Sequence, residues 1–194
     1  HALADGVTQF LDLGAGIPTE GNVHDVAFAA DPQARVVYVD RDPTAVLHAT
    51  DLLAGVPSAA TVHGDLLDPE ALHADPQVRA LLDFDKPICV LMIAVLHFVP
   101  DGPDLQAALA HYRGVAAPGS YLAVTHATNS ARPEELDRVT DLYNRTGTPL
   151  VVRNRALGVL YLTANHADAF DTDHLQFATA VAALAAVVLD NLRY

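Results

Sequence analysis

The sequence predicts a doubly wound α/β fold around a mostly parallel sheet, and three observations carry that prediction. Short apolar runs alternate with helix-compatible segments in five successive units through about residue 125. One run, residues 88–96, is apolar throughout, as expected of a central parallel strand covered on both faces. The first run ends in Gly14-Ala15-Gly16, where two glycines turn the chain tightly before a helical segment begins.

The elements follow in chain order. Residues 9–13 form the first strand, and Val23 to Ala30 reads as the helix after the glycine turn. Residues 35–39 are a β-branched second strand ending in Asp40. Asp42-Pro43 is a helix start signal for the segment to Leu53. The third strand, residues 60–63, ends at Gly64-Asp65. Pro69 to Leu82 reads as helical with an interruption at Pro76. The fourth strand is 88–96, and Asp104 to Val115 fits an amphipathic helix. Pro118-Gly119 turns into a fifth strand, Ser120 to Thr125, and Pro133 to Arg145 is again helical.

Composition narrows the function. The chain has 194 residues, 51% of them hydrophobic, enough for a sizeable core. Its formal charge of −13 argues against nucleic acid and against anionic membranes as partners, because phosphate binding needs clustered Lys and Arg. The single cysteine, Cys89, cannot form an internal disulfide, which points to the cytoplasm. Ten histidines give no compact ligand pair, so no metal site is expected.

The polar residues of interest fall at strand ends, where such sheets bind ligands. Asp12 precedes Gly14 and Gly16, Asp40 ends the second strand, Asp65 follows the third, and His97 follows the fourth. An acid ending the second strand suits the paired hydroxyls of a ribose, and a carboxylate at Asp65 suits an adenine amine. A dinucleotide fingerprint would need glycine where Thr19 stands. There is no Gly-Lys pair for a phosphate loop, and the lone lysine, Lys86, has Leu82 rather than Tyr four residues before it. Asp-x-Gly-x-Gly instead places an acid within reach of an amino-acid ammonium group, which suits a ligand carrying methionine as well as adenosine.

Several segments together carry a family resemblance: residues 10–19, Asn22-Val23-His24, residues 37–43, residues 94–101 and residues 118–122. Over roughly residues 3–150 the chain resembles the actinobacterial S-adenosyl-methionine-dependent methyltransferase family formerly classed as a domain of unknown function. The resemblance implies a Rossmann-like, class I methyltransferase sheet with S-adenosyl-methionine as cofactor. It implies that Asp12, Gly14 and Gly16 hold the methionine end, Asp40 the ribose, and Asp65 with Leu66 the adenine. It also leads to an expectation of a helical lid before the first strand; this chain begins almost at that strand, so a more open site is expected.

From about Thr148 the character of the sequence changes. Residues 149–163, 169–171 and 177–180 resemble the end of a GAF domain. This reading divides the chain into a cofactor-binding core, 1–147, and a C-terminal β-hairpin and long helix, 148–194. The hairpin, residues 149–153 and 157–163, is expected to cover the edge of the fifth strand. Phe177, Val181, Leu184, Val188 and Leu192 form a helical stripe that either packs on the sheet or makes a homodimer seam over 173–192. His97 is the first choice for a general base and His126 the second, with Tyr143 and Asn144 near the same mouth. The expected activity is methyl transfer to a small-molecule acceptor; the alternative is a non-catalytic binding or dimerisation module built on a relic core.

Overall fold

Five strands pair in parallel in the order β3-β2-β1-β4-β5 in the computed structural model, which describes residues 2–18, 21–125, 140, 141 and 143. The strands are β1 (Gln9–Leu13), β2 (Arg35–Asp40), β3 (Ala59–His63), β4 (Cys89–Met92) and β5 (Tyr121–Val124). The helices are α1 (Val23–Ala30), α2 (Pro43–Leu52), α3 (Pro69–Ala74), α4 (Pro76–Leu81) and α5 (Pro103–Val115). The order reverses between β1 and β4, and a doubly wound sheet opens its ligand crevice at that reversal.

Side-chain alternation supplies a separate core on each face. Leu11, Leu13, Val37, Val39, Val90 and Met92 point to one side and pack with Leu72 of α3, Val78 of α4 and Leu105 of α5. Phe10, Val36, Tyr38 and Cys89 point to the other side and pack with Ala27 of α1. Period-two alternation in a sheet covered on both faces makes both sets apolar, which is why the strands read as continuous hydrophobic runs.

Helix starts follow local chemistry. Asp42 Oδ1 accepts from the Thr44 N–H at 2.8 Å ahead of Pro43. The segment read as one interrupted helix is two, because Pro76 cannot donate into α3 and Asp75 caps a new helix through the N–H groups of Gln77 and Val78.

The fourth strand corrects the sequence reading. It stops at Met92 rather than running to residue 96. Ala94 takes a left-handed backbone, φ 54°, with its N–H donating to Thr125 Oγ1 at 2.8 Å. A 3-10 turn, Leu96–Phe98, follows. The residues after Met92 thus fold over the strand ends instead of extending the sheet. His126, the Pro133–Arg145 helix except residues 140, 141 and 143, the hairpin, the terminal helix with its 173–192 seam and the whole 148–194 unit lie outside the described residues. Among the described residues no helix is long and apolar enough to cross a membrane.

Candidate functional site

The glycine turn is built on the end of β2. Gly14 and Ala15 both donate to the Val39 carbonyl, at 2.8 and 3.1 Å, and Gly16 N–H donates to Asp40 Oδ2 at 2.7 Å. Gly14 has φ +75°, and a Cβ there would stand 2.2 Å from Val95 Cγ2, so glycine is required on both counts. Gly16 has φ +67° but faces open space. The first turn of α1 then follows, opened by Asn22 donating to Asp25 Oδ2 at 3.1 Å.

Four strand ends converge on one cleft of about 390 Å³, within the ~300–1,000 Å³ usual for small-molecule sites. Gly14, Ala15 and Gly16 line it from β1, Asp40 and Arg41 from β2, and Gly64 to Leu67 from β3. Ile93, Ala94, Val95, Phe98, Val99 and Pro100 form its wall after β4. Gly14, Gly16, Asp40, Asp65 and Leu66 are thereby brought together, five of the residues singled out in the sequence.

Each polar group in the cleft has residual capacity. Asp40 accepts from Gly16 through one oxygen and from the Asp42 N–H, at 2.8 Å, through the other, leaving a lone pair on each. Asp65 uses Oδ1 to accept from the Leu67 N–H at 2.9 Å. Leu66 is buried, and its carbonyl accepts from the Tyr112 hydroxyl at 2.9 Å, which fixes the β3 exit against α5.

Asp12 is placed differently. It lies one residue before the end of β1, level with Tyr38 of β2 and Leu91 of β4 and on the α1 side of the sheet, and it is not among the cleft-lining residues. None of the described residues donates a hydrogen bond to it. Burial, and then the nearby Asp40 carboxylate, push its carboxyl up to about 7. A carboxylate so placed gains most from a cation. His97 sits in the 3-10 turn with its ring 4.3 Å from that of Phe98, and it too is outside the lining. Phe98 in turn meets Tyr143 with ring centroids 5.4 Å apart.

The sequence reading missed the wall after β4: residues 88–96 are uniformly apolar, and nothing in them marks the left-handed turn at Ala94 that ends the strand. A second cavity, about 360 Å³, lies beside the end of α5 and the start of β5, lined by Arg113, Ser120 and Tyr121 among others, and holds none of the predicted site residues.

Comparison with known proteins gives this geometry a family. The sequence pattern of the S-adenosyl methyltransferase family matches residues 1–162. A DUF574 family protein from Streptomyces avermitilis is 38% identical with a TM-score of 0.74, covering 80% of this chain and 60% of its own. A candidate methyltransferase from Thermobifida fusca is 32% identical with a TM-score of 0.70, covering 88% of this chain and 68% of its own. This chain therefore spans less than two thirds of the length of the Streptomyces relative. An O-methyltransferase family protein from Burkholderia thailandensis, 15% identical with a TM-score of 0.51 over 89% of this chain and 43% of its own, shares the fold. No curated protein matches the chain. The family match crosses the 147/148 boundary and takes in most of the 149–163 run, so the GAF resemblance gains no support, and neither does the non-catalytic alternative. With a family pattern over most of its length and two relatives above 30% identity, the chain belongs to the S-adenosyl methyltransferase family.

Proposed function

We propose that the chain binds S-adenosyl-methionine in the strand-end cleft and transfers its methyl group to a small-molecule acceptor. The observation that carries this reading is the convergence of Gly14, Gly16, Asp40, Asp65 and Leu66 on one cleft at the reversal of strand order. When bound, S-adenosyl-methionine supplies an electrophilic methyl group on a sulfonium centre.

The chain's own residues bind and orient. The remaining lone pairs of Asp40 accept from the two ribose hydroxyls, while its bonds to Gly16 and Asp42 keep the carboxylate from turning. The free oxygen of Asp65 accepts the adenine amine, and Leu66 supports the base. Gly14 and Gly16 let the backbone approach the methionine end, and Asp12 supplies the negative charge for its ammonium. The residues from Ile93 to Pro100 that line the cleft give it an apolar side for the ligand to pack against. His97, with His126 as second choice, takes the proton of an acceptor that must lose one. The −13 net charge favours a cationic cofactor over polyanionic acceptors.

Isothermal titration with S-adenosyl-homocysteine tests this reading. The wild type is expected to bind one equivalent saturably. Asp40→Ala is expected to weaken binding at least about tenfold, since hydrogen bonds to a charged group are worth about 1.5–3 kcal/mol each. A folded wild type that takes up neither S-adenosyl-homocysteine nor S-adenosyl-methionine would sink it.

A further inference from the structure

The cleft wall after β4 turns on a residue in a conformation that alanine rarely takes. Ala94 has φ 54°, in the left-handed region that crowds a Cβ, and it lines the cleft between Ile93 and Val95. Backbone of that kind persists only where its surroundings over-determine it. Here the surroundings are the end of the next strand. Thr125 follows β5 and grips the chain twice. Its N–H donates to the Met92 carbonyl at 3.1 Å, and its Oγ1 accepts from the Ala94 N–H at 2.8 Å. The first bond continues the β4–β5 pairing by one step; the second bends the chain away from it.

The bend sets what the cleft presents. Ile93, between the two bonds, lies on the cleft and is 42% exposed. Val95, just past Ala94, reaches the glycine turn: its Cγ2 stands 2.2 Å and its Cβ 2.7 Å from the place that a Cβ on Gly14 would take. Val95 thus fills the space that glycine leaves open, and the wall and the glycine turn fit each other. Gly14 is itself held to the Val39 carbonyl of β2. An Ala94 relaxed to negative φ would carry Val95 away from Gly14 or into it. Water can take up the Ala94 N–H, but it does not fix the direction of the chain. Thr125, tied to Met92, does.

We infer that Thr125 is a positioning residue for the cleft: it holds Ala94 left-handed and so seats Val95 against the glycine turn. The inference rests on the cofactor assignment above. It gives a part in binding to a side chain that is not among the cleft-lining residues. Without the hydroxyl, the folded chain divides between the binding shape and a relaxed one, and affinity falls with the fraction that stays competent. Simple destabilisation acts otherwise. A slightly less stable chain is still almost wholly folded, so a merely structural hydroxyl would lower the urea midpoint and leave the Kd in place.

The test is calorimetric titration of S-adenosyl-homocysteine into the wild type, Thr125→Val, Thr125→Ser and the double variant Thr125→Val with Ala94→Gly, with a urea melt of each. Valine keeps the branched shape and removes the acceptor, and serine restores it. Glycine at position 94 takes the left-handed region without strain and makes the hydroxyl dispensable. The Kd is expected to rise about fivefold in Thr125→Val, the size of one neutral hydrogen bond, and to return to within about twofold of the wild type in the other two. Thr125→Ala takes the place of Thr125→Val should that variant fail to fold. The inference is overturned if the folded variant without the hydroxyl binds as the wild type does, or if either rescue fails. A folded wild type that does not bind S-adenosyl-homocysteine instead removes the cofactor assignment, and this inference with it.

Discussion

Replacing Asp12 by asparagine keeps the shape of the side chain and removes its charge. Burial between Leu91 and Tyr38, and then the Asp40 carboxylate, lift the Asp12 carboxyl from 3.8 to about 7. An acid raised in the folded state opposes folding as it ionises. Its contribution is fully present below the unfolded value of 3.8 and is lost as pH climbs through about 7. Each pH unit in that window is worth about 1.36 kcal/mol, so the interval from about pH 5 to about pH 7 amounts to about 2.7 kcal/mol. The figure is a ceiling, because the carboxyl is only partly shielded from solvent. Asp12→Asn should therefore be the more stable protein at pH 8, and its advantage there should exceed that at pH 5 by up to this amount. In a chain of this size the difference corresponds to roughly 5–11 °C in Tm. Urea melts of both proteins at the two pH values measure it. The same variant should bind S-adenosyl-homocysteine more weakly, having lost the counter-ion for its ammonium. An equal stability gap at both pH values would refute the burial argument. A gap with undiminished binding would refute the role of Asp12 at the methionine end.

Two further perturbations probe the scaffold. Gly14→Ala drives a Cβ to 2.2 Å from Val95 Cγ2 at φ +75° and should cost at least about 3 kcal/mol in chemical denaturation, whereas Gly6→Ala, at φ +83° with nothing within 4 Å, should cost only about 1 kcal/mol. Gln9 is buried, donates to the carbonyls of Asp83 and Pro87 and accepts from the Asp83 N–H at 2.7 Å; Gln9→Leu strands that N–H and should cost about 2–3 kcal/mol by the same assay.

What could be read in the sequence was what local chemistry determines. The glycine turn, the acid ending β2 and the helix start at Asp42 each follow from residues within a few positions of one another, and the cleft brings Gly14, Gly16, Asp40, Asp65 and Leu66 together. The end of β4 was not legible. Residues 88–96 are uniformly apolar, and the turn at Ala94 is set by Thr125, 31 residues away. The contact between the His24 ring and the Tyr38 hydroxyl, 2.7 Å apart, was not legible for a similar reason: the residues stand 14 positions apart, and nothing in either alone announces the other. Asp12 stands beside the glycine turn in the sequence, but its lifted carboxyl depends on burial and on Asp40, which the sequence does not show.

Hydrogen exchange of the wild-type chain with and without S-adenosyl-homocysteine tests the central claim most directly, because it reports where the ligand sits. The account predicts slower exchange in the segments around residues 14–16, 40–41, 64–67 and 93–100, which line the cleft, and none around residues 113–121 at the second cavity. Protection confined to the second cavity, or none at all in the folded chain at saturating ligand, would contradict it.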